Sequence, residues 1–232
     1  MNPYGAADID ALFSAFQSLE AILFDLDGTL IDTDNIAVES LSGRLKPILG
    51  SRSDSAARWL LMQSETPGNY LVTLLDKLGL DVRFMAFTDR LRRRRGVYPA
   101  GEFRLIDGVE ELILSLKDRY RLGIVTTRSR YHIEGFLQNF PAIAGAFEVS
   151  CGLQDTQWLK PNPQPVRLAA ERLNLPVEKC LMVGDTTVDI KAGRRAGTWT
   201  VGVLCGFGQR PELERAGAHI ILDSTADLIR IL

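Results

Sequence analysis

The stretch AILFDLDGTL, Ala21 to Leu30, decides the reading of this chain. Residues 21–24 form a short continuous apolar run that ends in turn chemistry at Gly28, the pattern of a fully buried strand. Asp25 and Asp27 follow at its carboxyl end. An ionised carboxylate taken out of water needs a partner, so packing does not explain the pair. Side chains alternate along a strand, and the two carboxylates face the same way if the extended conformation persists. At ~4 Å and an effective dielectric of ~20 they repel by roughly 4 kcal/mol. A divalent cation, or a proton on one of them, is the usual remedy.

Three further segments carry chemistry. YRLGIVTT places the apolar residues Leu122, Ile124 and Val125 ahead of Thr126, whose hydroxyl can donate to a phosphoryl oxygen. LKPNPQP sets Lys160 before a Pro-rich turn. CLMVGDTTVD brings an apolar strand to Gly184 and Asp185, with Asp189 four residues on. That last segment is also good helix-capping chemistry in its own right.

These four segments, in this order, resemble the motifs of the haloacid dehalogenase superfamily. Asp25, Leu26, Asp27, Gly28, Thr29 and Leu30 match its first motif, Asp-x-Asp-Gly-Thr and an apolar residue, at every position. The resemblance implies a Mg²⁺-dependent phosphatase with an aspartyl-phosphate intermediate. On the matching positions Asp25 is the nucleophile and Asp27 the acid and base. Thr126 and Lys160 bind the phosphoryl oxygens, and Asp25, Asp185 and the carbonyl of Asp27 hold the metal. Asp189 supports Lys160 or a metal-bound water. An acid at position 27 favours phosphatase or phosphomutase over dehalogenase chemistry. The tail from Val183 onward, with Gly206-x-Gly208 and Ala216-Gly217-Ala218, resembles phosphoglycolate phosphatases. Thr127 and Asp107 depart from that group, which commonly has Asn and Pro there. A phosphomutase and a non-catalytic phosphate-binding protein remain the alternatives.

From residue 101 onward strand-like and helix-like segments alternate: helix 108–118, strand 121–126, helix 129–139, strand 146–150, helix 163–174, strand 179–184, helix 187–196 and strand 199–204. A short helix near 211–216, strand 218–222 and a final helix 224–231 follow. The alternation predicts an α/β fold, a parallel sheet between helices in a Rossmann-like three-layer core. Ligands bind such sheets beyond the carboxyl ends of the strands. Asp25, Thr126 and Asp185 lie at those ends. Between 34 and 100 no strand signal appears and successive helices are expected, which resembles an inserted helical cap. The expected division is a core of 20–33 and 101–232, the cap 34–100, and an amphipathic helix within 1–19 carrying Ile9, Leu12, Phe13, Phe16 and Leu19.

Composition fits an ordinary globular enzyme. The net charge of −2 recruits neither nucleic acid nor an anionic membrane surface. No apolar stretch is long enough to span a bilayer, and the N-terminus lacks a secretory pattern. Three scattered cysteines form no metal spacing and leave one unpaired in any disulfide scheme, so a reducing cytoplasm is expected. The expected partner is a small-molecule phosphate ester, bound by a monomer or homodimer. The run Arg92–Arg95 is read as a solvated helix end, and His132 and His219 as structural.

Overall fold

The computed structural model describes residues 16–53, 56 and 103–232. Six parallel strands form one sheet in the order β3-β2-β1-β4-β5-β6. They are β1 (Ala21–Phe24), β2 (Arg121–Val125), β3 (Phe147–Cys151), β4 (Cys180–Gly184), β5 (Trp199–Val203) and β6 (Ile220–Leu222). Each lies within a residue or two of its expected span. The helices are α1 (Thr33–Leu49), α2 (Val109–Leu116), α3 (Arg130–Asn139), α4 (Pro141–Ala144), α5 (Gln164–Arg172), α6 (Thr187–Ala196) and α7 (Arg210–Ala216). The expected final helix is a 3₁₀ segment, Thr225–Arg230. The short helix α4 was not anticipated. Its four residues carry too little periodicity to register as a helix, although Pro141 at its start is a helix-opening signal.

Strand alternation explains why both faces are covered. Ile22, Phe24, Leu122, Ile124, Leu181, Val183, Val201 and Val203 pack into one cluster with Leu112, Ile113 and Leu116 of α2 and Ile133 and Phe136 of α3. The intervening residues Ala21, Leu23, Val125, Cys180 and Met182 join Val166, Ala169 and Ala170 of α5 and Ala192 and Ala196 of α6. Two apolar faces on one parallel sheet require helices on both, and that is the three-layer core.

The segment entering the 33–103 stretch and the segment leaving it meet at one edge. Asp32 N–H donates to the Arg104 carbonyl at 2.8 Å, Ile106 N–H to the Leu30 carbonyl at 3.1 Å, and Arg104 pairs with Asp32 at 3.1 Å. Helix α1 opens that stretch, and Gly50, at φ +55°, follows it. The other expected helices and the Arg92–Arg95 run lie outside the described residues, as does most of the N-terminal segment. Its last residues are seen on the core, with Phe16 buried against Trp199, ring centroids 6.0 Å apart, and Leu19 buried beside it.

Among the described residues no helix is long and apolar enough to cross a membrane. All three cysteines are free.

Candidate active site

The carboxyl ends of β1, β2 and β4 converge on one polar pocket in an otherwise apolar core. Asp25 continues the pairing of β1, its N–H donating to the Val183 carbonyl at 2.9 Å. Leu26 enters the same cluster as Ile22 and Phe24. Alternation thus persists past the strand, which leaves Asp25 and Asp27 on the opposite side from that cluster, as the sequence pattern required. Gly28 then turns the chain at φ +66°, and a Cβ there would meet Asp185 Oδ2 at 2.5 Å. Glycine satisfies both conditions, a left-handed backbone and a close approach.

The floor of the pocket is an ion cluster. Lys160 Nζ donates to Asp25 Oδ1 at 2.7 Å, to Asp189 Oδ1 at 2.6 Å and to the Val125 carbonyl at 2.7 Å. An ammonium has three protons, and all three are used. The Lys160 side chain is 2% exposed and that of Asp189 is 1% exposed. Burial alone would pull the Lys160 ammonium down, but Asp189 and then Asp25 outweigh it and hold it firmly protonated. For Asp25 burial is the largest influence. It pushes the carboxyl up to about 7, against the opposing pull of Lys160 and with Asp189 and Asp27 adding to the rise. Lys160 stays charged because it faces two carboxylates at contact distance.

Asp189 does two things at once. Its Oδ1 holds Lys160, while Oδ2 accepts from the Thr186 N–H at 3.1 Å and the Thr186 hydroxyl at 2.6 Å, capping α6. One side chain thus serves both the cap of α6 and the ion cluster. Gly184 lies so close to Asp189 that any Cβ there would overlap it.

Asp185 sits in a glycine cradle. Cβ atoms at Gly28 or Gly206 would overlap its carboxylate, and one at Gly208 would overlap its carbonyl. Its Oδ2 accepts from the Phe207 N–H at 3.1 Å, and Oδ1 has a long contact of 3.4 Å from Thr29 Oγ1. The Gly-x-Gly turn recognised in the tail therefore fixes an acidic side chain rather than merely reversing the chain.

Asp27 lies at the rim, its side chain 30% exposed. Arg128 grips it in a fork, Nε to Oδ2 at 2.7 Å and Nη2 to Oδ1 at 2.6 Å. Burial works against the Arg128 charge, but the bonds to Asp27 more than offset it and raise its pKa further. Thr126 is buried at the end of β2, and its Oγ1 accepts from the Arg128 N–H at 3.1 Å. The repulsion expected between Asp25 and Asp27 is therefore relieved in part by two basic side chains, one for each carboxylate. The clasp of Arg128 on Asp27 has no local pattern in the sequence, because it joins two loops 101 residues apart. Its only signal was proximity to Thr126.

The carboxylates of Asp25, Asp185 and Asp189 each place an oxygen within 4.8 Å of the others, and all three are buried. Oxygen donors of this kind fit a hard divalent cation. Asp25 and Asp185 are the better placed pair for one, because both oxygens of Asp189 are occupied by Lys160 and Thr186.

Comparison with known proteins identifies the family. The model for haloacid dehalogenase-like hydrolases matches residues 22–203. The chain belongs to the haloacid dehalogenase-like hydrolase family. It is an enzyme of that family, a phosphoric ester hydrolase. A pyrophosphatase PpaX from Bacillus cereus (strain ATCC 10987 / NRS 248) is 30% identical, the match covering 92% of this chain and 96% of the relative. Among solved structures, a predicted phosphoglycolate phosphatase from Haemophilus somnus 129pt superposes with a TM-score of 0.64 at 24% identity, covering 92% of this chain and 98% of the other. A provisionally assigned beta-phosphoglucomutase from Bacteroides vulgatus gives 0.66 at 19% identity, covering 97% and 96%. These two structural likenesses establish the shared fold.

Proposed function

We propose that this hydrolase is a Mg²⁺-dependent phosphatase of a small phosphorylated metabolite, acting through a phosphorylated Asp25. The observation that carries the reading is the buried cluster in which Lys160 bridges Asp25 and Asp189 beside Asp185. A structural ion pair does not call for a third buried carboxylate, and so acidic a floor suits a cation and an anionic ligand together.

Asp25 attacks phosphorus and becomes the acyl phosphate as the bond to the leaving oxygen breaks. Asp27 delivers a proton to that oxygen, then takes one from the water that hydrolyses the intermediate. Thr126 and Lys160 bind the phosphoryl oxygens as charge moves onto them. All three protons of Lys160 are committed in the ligand-free arrangement, so it exchanges a contact to do this. Asp25, Asp185 and the Asp27 carbonyl would hold Mg²⁺. When bound, the ion offsets the repulsion between the Asp25 carboxylate and the phosphate dianion. The tail resemblance makes phosphoglycolate the first metabolite to test, and the PpaX relatives make pyrophosphate the second.

Phosphate release from p-nitrophenyl phosphate, with and without Mg²⁺, tests the reading. Wild type is expected to need the ion, and Asp25→Asn to lose at least about a thousandfold in kcat, roughly 4 kcal/mol of barrier. Retention of activity in that variant would remove the covalent step. A requirement for a sugar bisphosphate would assign the chain to the mutases instead.

A further inference from the structure

The Arg128 fork is the charged feature of the site that the proposed chemistry leaves unused. Its backbone is fixed: Arg128 N–H donates to Thr126 Oγ1 at 3.1 Å, its carbonyl accepts from Leu153 N–H at 2.8 Å, and a Cβ at Gly152 would meet that carbonyl at 2.6 Å. Only the side chain can move. It lies at the rim, 31% exposed, on the side of the site where Asp27 must meet the leaving oxygen.

Both oxygens of Asp27 accept from this one guanidinium. A carboxyl group that passes a proton to the leaving oxygen must turn an oxygen toward it, so the fork has to let go. Its Nε–H and Nη–H are spaced to match a planar carboxylate or two phosphoryl oxygens. A second anionic group on the leaving group presents that same pattern. An uncharged leaving group offers nothing that competes with Asp27.

We propose that Arg128 is a specificity-determining residue that selects substrates whose leaving group carries a second negative charge, a carboxylate or a phosphoryl group. The incoming anion takes the fork from Asp27, and the freed carboxylate, no longer held as an anion by the guanidinium, takes up a proton from water and passes it to the leaving oxygen as the P–O bond breaks. Recognition and release of the acid become one event. The inference rests on the phosphatase reading above, because it needs Asp27 as the acid.

The test compares kcat/KM for two anionic probes, inorganic pyrophosphate and 2-phosphoglycolate, with that for two uncharged-leaving-group probes, 2-hydroxyethyl phosphate and p-nitrophenyl phosphate. Arg128→Ala is expected to lower the ratio of anionic to uncharged probes by about 10- to 100-fold, the scale of charge-assisted hydrogen bonds. Arg128→Lys keeps the charge without the fork, and the ratio is expected to fall between wild type and Arg128→Ala. The pairing of 2-phosphoglycolate with 2-hydroxyethyl phosphate is the decisive one, since the two differ chiefly in the carboxylate. Equal falls on all four probes would mean that Arg128 only steadies Asp27, and would overturn the inference while leaving the phosphatase reading intact. An unchanged ratio would overturn it as well. A wild-type protein that released no phosphate from any probe would overturn the phosphatase reading and the inference with it.

Discussion

The two ends of the sheet handle charge in opposite ways. At the amino ends, Arg121 at the start of β2 pairs with Glu148 on β3 at 2.6 Å, and Lys179 before β4 pairs with Glu20 before β1 at 3.1 Å. All four side chains are more than a third exposed. At the carboxyl ends, Lys160 meets Asp25 and Asp189 at similar distances, with Lys160 and Asp189 almost wholly buried and the Asp25 side chain 12% exposed. The distances barely differ, but the energetics do. An exposed pair exchanges one set of partners for another in water and contributes little. A buried cluster carries several kcal/mol of desolvation per ion and holds only while every partner is present. Folding alone gives no reason to accept that cost at one end of the sheet and avoid it at the other. Chemistry at the carboxyl rim does.

The strongest way to break this comparison is Lys160→Met. It leaves Asp25 and Asp189 buried with their shared cation gone, and a loss of about 3–5 kcal/mol is expected in urea unfolding at neutral pH. A loss below about 1 kcal/mol would mean that the cluster is no more coupled than a surface pair. Asp189→Asn in the same background should recover part of the stability, because it removes one of the two stranded charges.

The carboxyl-end half of this contrast is legible in the sequence, and the reasons are physical. Strand parity places Asp25 and Asp27 on one side, and the apolar runs ending at Phe24, Val125 and Gly184 locate the rim where they lie. Lys160 is different in kind. Its loop has no periodicity, and nothing local shows that it reaches back 135 residues to Asp25. It was placed by family resemblance, and the structure brings it to the pocket floor. The Arg128 fork has no local signature because it depends on how two loops face each other across the rim. Pattern reading captures elements and their ends, whereas pairings between loops are set by tertiary packing.

A half-buried case sharpens the comparison by separating burial from position. His219 stands just before β6, at the amino-end side, against Trp199 with centroids 4.6 Å apart. Thr200 N–H donates to its Nδ1 at 3.0 Å, and the Arg194 guanidinium lies beside Nε2. Burial first, and Arg194 second, depress its pKa from 6.5 to about 4. The folded protein therefore binds fewer protons than the unfolded chain between those values. Stability from this site is complete above about pH 6.5 and is lost as pH falls toward 4. After discount for solvent screening, about 1–2 kcal/mol is expected. His219→Asn keeps an acceptor for the Thr200 N–H and cannot ionise, so its stability should fall less over that interval. Parallel pH profiles would assign the acid sensitivity elsewhere.

The smallest effect is expected from Glu148→Gln. The change removes the anion that Arg121 holds through Nε and Nη2, yet Arg121 Nη1 still donates to the Leu173 carbonyl. Glu148 is on the solvent side, so the freed guanidinium is hydrated at once and no buried charge is stranded. The melting midpoint should stay within experimental scatter of wild type. Salt provides the second arm. At about 1 M the screening length shrinks to roughly 3 Å, which weakens exposed pairs and leaves buried ones nearly untouched. Any small difference between Glu148→Gln and wild type should therefore vanish in high salt, while the deficit of Lys160→Met persists. If Glu148→Gln destabilised the fold as much as Lys160→Met does, the amino-end pairs would be structural keystones. The asymmetry between the two rims would then no longer single out the carboxyl end as the place where charge serves chemistry.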